Sequence, residues 1–371
     1  ETWNWRRKDI DPHLLLGWTC MAMVAGALDW RPAVYLTGEK GCGKSALQSL
    51  MGVVLGKALF KSVNTSGPGI YQRLKHDCTP VWVDELESQP EGSQRKVIEI
   101  IELIRTASSG GSINRGSSEG LSREYMCRSP FVCSSINIPP MRGQDQSRFA
   151  ILQLQPFPAL PAGEEPQDLE FDDGDIGQVG RELLRRMIEG WGRWPITLKA
   201  FRHALIKAGH EPRGADQFGA LLAAQHIAAS DDAPTQAELD SWASRLAPST
   251  LAETANKTED WRECLQHALD VTPETLKHRK GSMTSIGQIL ASWRKSANGE
   301  GLTDAEEACA SVGLAISFPK GVPETWANAR LFFPGSHPEV RKLFANTTWA
   351  GVGGSTGVWT STLARAPDDI A

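Results

Sequence analysis

The sequence lacks the patterns that define several common classes of protein. Its seven cysteines include no CxxC pair, and its eight histidines form no HExxH motif and no cluster with cysteine. We therefore expect neither a disulfide framework nor a zinc site, but free thiols in a reducing compartment. The longest apolar run, residues 14–28, is too short for a comfortable membrane span and has no cleavage signature. A cytoplasmic protein without a membrane partner is the expectation.

The overall charge of the chain does not decide whether it binds nucleic acid. The net charge is −5, with 18 Lys/Arg and 15 Asp/Glu in residues 1–158 and 21 and 29 in the remainder. Seven of those acids fall within residues 161–175, and the rest of the C-terminal half is near neutral. Global charge therefore argues neither for nor against a nucleic-acid partner.

Strand and helix patterns alternate through the first 158 residues, which predicts an α/β fold with a parallel sheet and helices on both faces. The 371 residues are enough for two or three domains. The last residues show a strand, a helix and another helix, which fits either a winged helix or a packing module. The predicted division is a helical segment at 1–30, the sheet core at 31–158, an acidic linker at 159–178, a mostly helical region at 179–310 and a small mixed α/β end at 311–371.

The stretch GEKGCGKS, residues 38–45, lies between an apolar strand pattern and a helix pattern. Its spacing is that of the GxxxxGK[ST] P-loop, or Walker A motif, in which glycines let backbone N–H groups face phosphates at a helix N-terminus. Lys44 is predicted to reach the β- and γ-phosphates of ATP, and Ser45 to ligate Mg²⁺. The residues predicted to surround the nucleotide are Gly38, Glu39, Lys40, Gly41, Cys42, Gly43, Lys44, Ser45 and Ala46.

Two acidic residues, Asp84 and Glu85, follow a second apolar strand pattern in VWVDEL. Carboxylates at the C-terminal end of a strand lie where ligands bind in open α/β sheets. We expect Asp84 to hold Mg²⁺ through water and Glu85 to orient and activate the attacking water. A consecutive Asp-Glu pair favours hydrolysis, because a kinase does not need a water-activating glutamate.

The segment SSINIPPMRGQDQSRFAILQLQPF, residues 134–157, resembles a segment of superfamily 3 and related phage, plasmid and poxvirus primase-helicases. Those proteins have a strand ending in asparagine, a proline, a short loop with an aspartate and one or two arginines, and a final strand ending in Pro-Phe. With the two motifs above, the resemblance covers residues 31–158. It implies an AAA+-like ATPase core whose ATP sites lie between the subunits of a ring.

The same resemblance implies roles for individual residues. Asn137 would hydrogen-bond the attacking water or the γ-phosphate beside the catalytic glutamate. Arg148, in an element that begins at Asp145, would be the finger that reaches the ATP of a neighbouring subunit. Many relatives have two arginines there, whereas this sequence has Arg148 with Arg142 nearby and Arg128 upstream.

Residues 105–148 contain six arginines, no lysine and three acids. Within them, the glycine- and serine-rich stretch 110–126 predicts an exposed loop or hairpin, and it resembles the hairpin with which these helicases grip DNA in the ring pore. Arg115 and Arg123 suit contacts to backbone phosphates without sequence reading. The alternative is a solvated hairpin whose arginines pair with its own glutamates, Glu119 and Glu124.

Together these features predict an ATP- and Mg²⁺-dependent, ring-forming DNA helicase or translocase of a phage or mobile-element replication system. The resemblance implies single-stranded or forked DNA as a partner and a homo-oligomer, for which six subunits is the family expectation. The resemblance also implies an upstream primase or replication domain, and a chain that begins at Glu1 rather than Met fits that expectation. Three alternatives stay open: a nucleotide-switched initiator or loader, a P-loop ATPase that does not act on nucleic acid, and a non-catalytic nucleic-acid-binding module.

Overall fold

The computed structural model describes residues 2–63, 65–87, 93–116, 122–139, 141–158, 171–251, 259–276, 284–296, 301–345, 347–350 and 356–367. The chain divides into two compact units, residues 1–257 and 258–371. Most of the predicted acidic linker, residues 159–170, and the turn of the predicted hairpin, residues 117–121, lie outside the described residues.

A five-stranded parallel sheet forms the centre of the first unit, as the alternation of strand and helix patterns predicts. Its strands lie in the order β2-β3-β6-β1-β7. A separate antiparallel hairpin, β4–β5, precedes β6. The strands are β1 (Ala33–Thr37), β2 (Phe60–Val63), β3 (Val81–Asp84), β4 (Ser112–Gly116), β5 (Ser122–Met126), β6 (Phe131–Ser135) and β7 (Phe149–Gln153).

Helices cover both faces of the sheet. They are α1 (Asp11–Met23), α2 (Lys44–Leu55), α3 (Gly67–Leu74), α4 (Ser93–Ser108), α5 (Gly143–Gln146), α6 (Asp173–Glu189), α7 (Trp194–Lys207), α8 (Pro212–Ala229) and α9 (Gln236–Arg245). Val34 and Leu36 of β1 pack into one core with α1, α2 and α6–α9, while Ala33 and Tyr35 pack into a second core with α3 and α4. Because successive side chains of a strand point to opposite faces, a strand buried on both faces is apolar throughout.

Helix α6 begins at Asp173, inside the range 159–178 that the sequence predicts as an acidic linker. Asp172 caps it, since its carboxylate accepts hydrogen bonds from the backbone N–H groups of Gly174 (2.7 Å) and Asp175 (3.0 Å). Aspartates at a helix N-terminus are stabilised by the unpaired N–H groups and the helix dipole. Helices α6–α9 belong to the first unit, so the boundary between the units falls within the range 179–310 that the sequence analysis treats as one region.

Helices α1 and α8 approach each other closely at Gly17. A Cβ atom at this position would overlap the carbonyl oxygen of Leu221 in α8. We expect Gly17→Ala to lower the free energy of unfolding by about 2–3 kcal/mol, because one of the two helices must shift. Urea unfolding of the two variants would measure this, with Gly192→Ala as control, since a Cβ at Gly192 has no neighbour within 4 Å. Equal stability of the two variants would contradict the close packing.

The second unit has its own apolar core. Its elements are α10 (Asp260–Asp270), α11 (Ile286–Lys295), α12 (Leu302–Ser311), β8 (Ala315–Ser317), β9 (Arg330–Phe332), α13 (Pro338–Leu343) and α14 (Val358–Leu363). The rings of Phe344 and Trp359 stack at 5.1 Å within this core, and β8 and β9 pair antiparallel. In neither unit do the described residues form a helix long and apolar enough to cross a lipid bilayer.

Candidate functional site

The loop of residues 38–45, the glycine-rich loop, joins β1 to α2. Gly41 and Gly43 have φ angles of +84° and +90°, the left-handed region that only glycine enters at little cost. A Cβ at Gly43 would also lie 2.9 Å from Nε1 of Trp3. Glu39, Lys40 and Gly41 are exposed. The two glycines therefore let the loop turn tightly into the N-terminus of a 12-residue helix.

Lys44, the first residue of α2, folds back across this loop. Its ammonium group donates hydrogen bonds to the carbonyl oxygens of Gly38 and Glu39, the latter at 3.0 Å. The ammonium therefore lies beside the N-terminus of α2, whose unpaired N–H groups attract anions. Ser45, next along the helix, is exposed. The arrangement supplies the donors that a chain of phosphates needs.

Asp84 lies at the C-terminal end of β3, and its carboxylate is held in place by the neighbouring strand. The hydroxyl of Ser134 in β6 donates to Oδ1 of Asp84 at 2.6 Å, and Nε1 of Trp82 donates to the same hydroxyl oxygen at 2.8 Å. Carboxylate and hydroxyl oxygens are the ligands that Mg²⁺ prefers. The oxygens of Asp84 and Ser45 therefore fit the predicted metal. The sequence analysis missed Ser134.

Glu85 has a backbone conformation that is rare for its residue type. Its φ angle is +56°, and the left-handed region costs a residue with a side chain about 1–2 kcal/mol. The backbone N–H of Glu85 donates to Oδ1 of Asp84 at 3.0 Å, and its side chain is exposed. Such strain concentrates at functional sites, where the surrounding structure enforces it.

Asn137 lies just after β6, which runs between β1 and β3 in the sheet. The carboxylate of Glu87 accepts hydrogen bonds from the backbone N–H groups of Ile136 and Asn137, the latter at 3.1 Å. The hydroxyl of Thr37, which directly precedes the glycine-rich loop, donates to the Ile136 carbonyl oxygen at 2.6 Å. The structure thus brings Asn137 to the same sheet edge as Lys44 and the Asp84–Glu85 pair. Glu87 was not singled out from the sequence.

Arg148 lies at the opposite edge of the sheet. Its carbonyl oxygen accepts from the backbone N–H of Ala33, the first residue of β1, at 3.1 Å. The glycine-rich loop follows the other end of β1, roughly 15 Å away at the rise of a strand. Within one chain, Arg148 therefore does not meet Lys44 or Glu85. This separation is what a role in a neighbouring subunit's site requires.

The Arg148 side chain is half-buried at that edge. Its guanidinium donates to the carbonyl oxygen of Gln144 and lies 5.9 Å from the Trp30 ring centroid. Burial lowers the pKa of Arg148. The neighbouring carboxylate of Asp145 is buried 3.5 Å from Arg105, and burial raises the pKa of Asp145 although the nearby arginines oppose the shift. The two other candidate fingers, Arg128 and Arg142, are exposed.

Arg115 and Arg123 lie on the β4–β5 hairpin, directly opposite each other in the strand register. Both side chains are exposed, and the guanidinium of Arg115 lies 5.8 Å from the Tyr71 ring centroid. In the described residues neither arginine forms an ion pair with Glu124. Glu119, the other predicted pairing residue, lies outside the described residues.

Ser134→Ala should have two separate effects. Loss of the hydroxyl leaves the buried Nε1 of Trp82 without its acceptor, which should lower the free energy of unfolding by about 1–3 kcal/mol. The Asp84 carboxylate would also be deprived of its orienting donor, and such changes typically weaken metal binding about 10- to 100-fold. Urea unfolding and titration of ATP hydrolysis with Mg²⁺ would measure the two effects. A variant less stable but unchanged in its Mg²⁺ requirement would show that Ser134 is only structural.

Comparison with known proteins assigns no family to this chain. No protein-family model and no curated protein matches the sequence. Among solved structures, the chain is similar to one described as "The A form apo structure of NrS-1 C terminal region-CTR", with a TM-score of 0.32 and 10% sequence identity. The match covers 69% of this chain and 50% of that one, so the chain spans about half the length of that structure. At this TM-score the similarity carries no argument about function, which therefore rests on the residues and their geometry.

Proposed function

We propose that this chain is the motor of a ring-forming, ATP-dependent DNA helicase or translocase that works in phage or mobile-element replication. One observation supports the ATPase part most strongly. The glycine-rich loop with Lys44, the strained Glu85 beside Asp84, and Asn137 lie at the C-terminal ends of three adjacent strands of one parallel sheet. Ligands bind at this edge in open α/β sheets.

Each residue of this edge then has a task in ATP hydrolysis. Backbone N–H groups of the loop and the Lys44 ammonium bind the phosphates, and Ser45 and Asp84 hold Mg²⁺, which neutralises charge on the phosphate oxygens. Glu85 accepts a proton from the attacking water, which makes the water a better nucleophile. Asn137, positioned by Glu87, donates a hydrogen bond to that water or to the γ-phosphate.

Steady-state ATP hydrolysis by the full 371-residue chain, with and without single-stranded DNA, tests the proposal. Lys44→Ala provides the blank. Several-fold stimulation by DNA supports the motor, and strand-displacement assays of both polarities would follow. Hydrolysis that ignores DNA would favour the ATPase that does not act on nucleic acid. DNA binding that depends on ATP without hydrolysis would favour the initiator or loader.

Arg148 is proposed to complete the ATP site of a neighbouring subunit. We expect Arg148→Ala to abolish hydrolysis and mixing with Lys44→Ala chains to restore part of it. In rings assembled at random from equal amounts of the two variants, about one quarter of the interfaces combine an intact Lys44 with an intact Arg148. Hydrolysis as a function of the mixing ratio measures the rescue. Arg142→Ala serves as the comparison, because rescue of that variant alone would make Arg142 the finger.

The remaining parts of the proposal concern the assembly and the second unit. We propose cytoplasmic action, a homo-oligomer of six subunits and an upstream primase or replication domain, as the resemblance implies. In the described part of the second unit, helices α10–α12 precede the antiparallel pair β8–β9, an order compatible with a winged-helix DNA-binding unit. Expression of residues 258–371 alone, followed by a measurement of their DNA binding, would test that assignment. The alternative is that this unit is a packing module.

A further inference from the structure

One face of the β4–β5 hairpin carries two like charges side by side. Ile113 and Tyr125 form an opposite pair that packs against the second core, and Arg115 and Arg123 form the next opposite pair on the same face. Side chains two residues apart in a strand lie on one face. Like charges directly opposite each other destabilise a hairpin unless an anion lies between or beside them. The pair therefore suits an anionic ligand.

The C-terminal end of α3 forms a second wall beside this face. The rings of Tyr71 in α3 and Tyr125 in the hairpin are 5.0 Å apart, and the Arg115 guanidinium lies 5.8 Å from the Tyr71 ring centroid. Between the two walls is an open depression of about 730 Å³. It is lined by Gln72, Lys75, His76, Arg123, Glu124 and Tyr125.

The chemistry of this depression fits a sugar-phosphate backbone. Lys75 and Arg123 line the depression together with one carboxylate, that of Glu124. Arg115 lies directly opposite Arg123 in the hairpin and adds a third positive charge, and all three cations are exposed. Tyr71 is only 4% exposed, so its ring cannot serve as a platform on which a base stacks. Exposed cations of this kind suit contacts to phosphates, which position a strand without reading its bases.

We infer that the depression between α3 and the hairpin, here called the α3–hairpin groove, binds the backbone of single-stranded nucleic acid. Lys75, which directly follows α3, contacts a phosphate together with Arg115 and Arg123 of the hairpin. The inference rests on the proposed function, because it takes nucleic acid as the partner, and it adds a wall that lies roughly 40 residues before the hairpin arginines in the sequence. His76 and Gln72 provide further hydrogen-bond donors on that wall.

Salt-dependent binding separates this groove from a hairpin that acts alone. The affinity of the full chain for a fluorescein-labelled oligothymidylate would be measured by anisotropy at several salt concentrations, with a non-hydrolysable ATP analogue and Mg²⁺ present. Removing one cation that neutralises a phosphate of a single strand should reduce the slope of log K against log salt by about 0.7. We expect this change for Lys75→Ala, Arg115→Ala and Arg123→Ala, several-fold weaker binding in each, and a restored slope for Lys75→Arg. Lys199→Ala, an exposed lysine of α7, should bind as the unaltered chain does.

The outcomes distinguish the inference from the proposed function. If Arg115→Ala and Arg123→Ala reduce the slope but Lys75→Ala matches Lys199→Ala, the groove is overturned while DNA binding by the hairpin stands. If the unaltered chain shows no salt-dependent binding of the oligonucleotide, the proposed nucleic-acid function fails and the groove with it. Weak binding with an unchanged slope in Lys75→Ala would indicate a folding defect of α3 and would also overturn the phosphate contact.

Discussion

Lys44→Ala is expected to lower the rate of ATP hydrolysis about 10²- to 10³-fold, the usual loss when one preorganised donor to a developing negative charge is removed. The Lys44 ammonium lies against the carbonyl oxygens of Gly38 and Glu39, at the N-terminus of α2. A phosphate chain placed there would gain the ammonium as a hydrogen-bond donor and counter-charge. Alanine removes both contributions and leaves the glycine-rich loop with only its backbone donors.

Lys40→Ala is the matched control for this prediction. Lys40 belongs to the same loop, carries the same charge and is exposed. Steady-state hydrolysis and equilibrium binding of a fluorescent ATP analogue, measured on both variants, separate a specific contact from the general charge of the loop. Equal losses in the two variants would mean that Lys44 has no special position, and the assignment of the nucleotide site would have to be withdrawn.

Glu85→Gln is expected to lower hydrolysis about 10²- to 10⁴-fold while nucleotide binding is kept, because the amide cannot accept the proton of the attacking water. The substitution preserves size and hydrogen-bonding shape at an exposed position. Bound nucleotide recovered from the variant after incubation with ATP should be ATP, whereas the unaltered chain should release ADP. Recovery of ADP from Glu85→Gln would assign the base to another residue, and Glu87, two positions further along the chain, would be the next to test.

The backbone of Glu85 adds a separate test of the same residue. Because its φ angle is +56°, Glu85→Gly should relieve about 1–2 kcal/mol of strain, partly offset by the larger entropy that glycine loses on folding. We expect the glycine variant to be at least as stable to urea as Glu85→Ala, and both to lack hydrolysis. A glycine variant clearly less stable than the alanine variant would show that the side chain itself stabilises the fold.

The sequence predicted the parallel sheet, and the polar residues that directly follow its apolar strands do lie together at one edge, because both features depend on local patterns. Apolar strands between helices predict a parallel sheet, and polar residues directly after such strands predict the ligand edge. Ser134 and Glu87 escaped this reasoning because their partners depend on which strands are neighbours. Ser134 meets Asp84 only because β3 pairs with β6, roughly 50 residues further along the chain. Asp172, by contrast, is an N-cap that depends only on local sequence, and it was missed because the run of acids around it suggested a linker.

The position of β1 in the sheet has a consequence for how the protein folds. This strand lies between β6 and β7, whose residues are about 100 or more positions away in the sequence. The chain loses conformational entropy when such long loops close, before the paired strands stabilise it. We therefore expect the sheet to form slowly compared with the helices around it. During synthesis the glycine-rich loop would emerge well before the strands that flank it, at about 5–20 residues per second. The sheet edge that carries the glycine-rich loop, Asp84 and Asn137 therefore cannot exist until nearly the whole of the sheet-forming chain has been made.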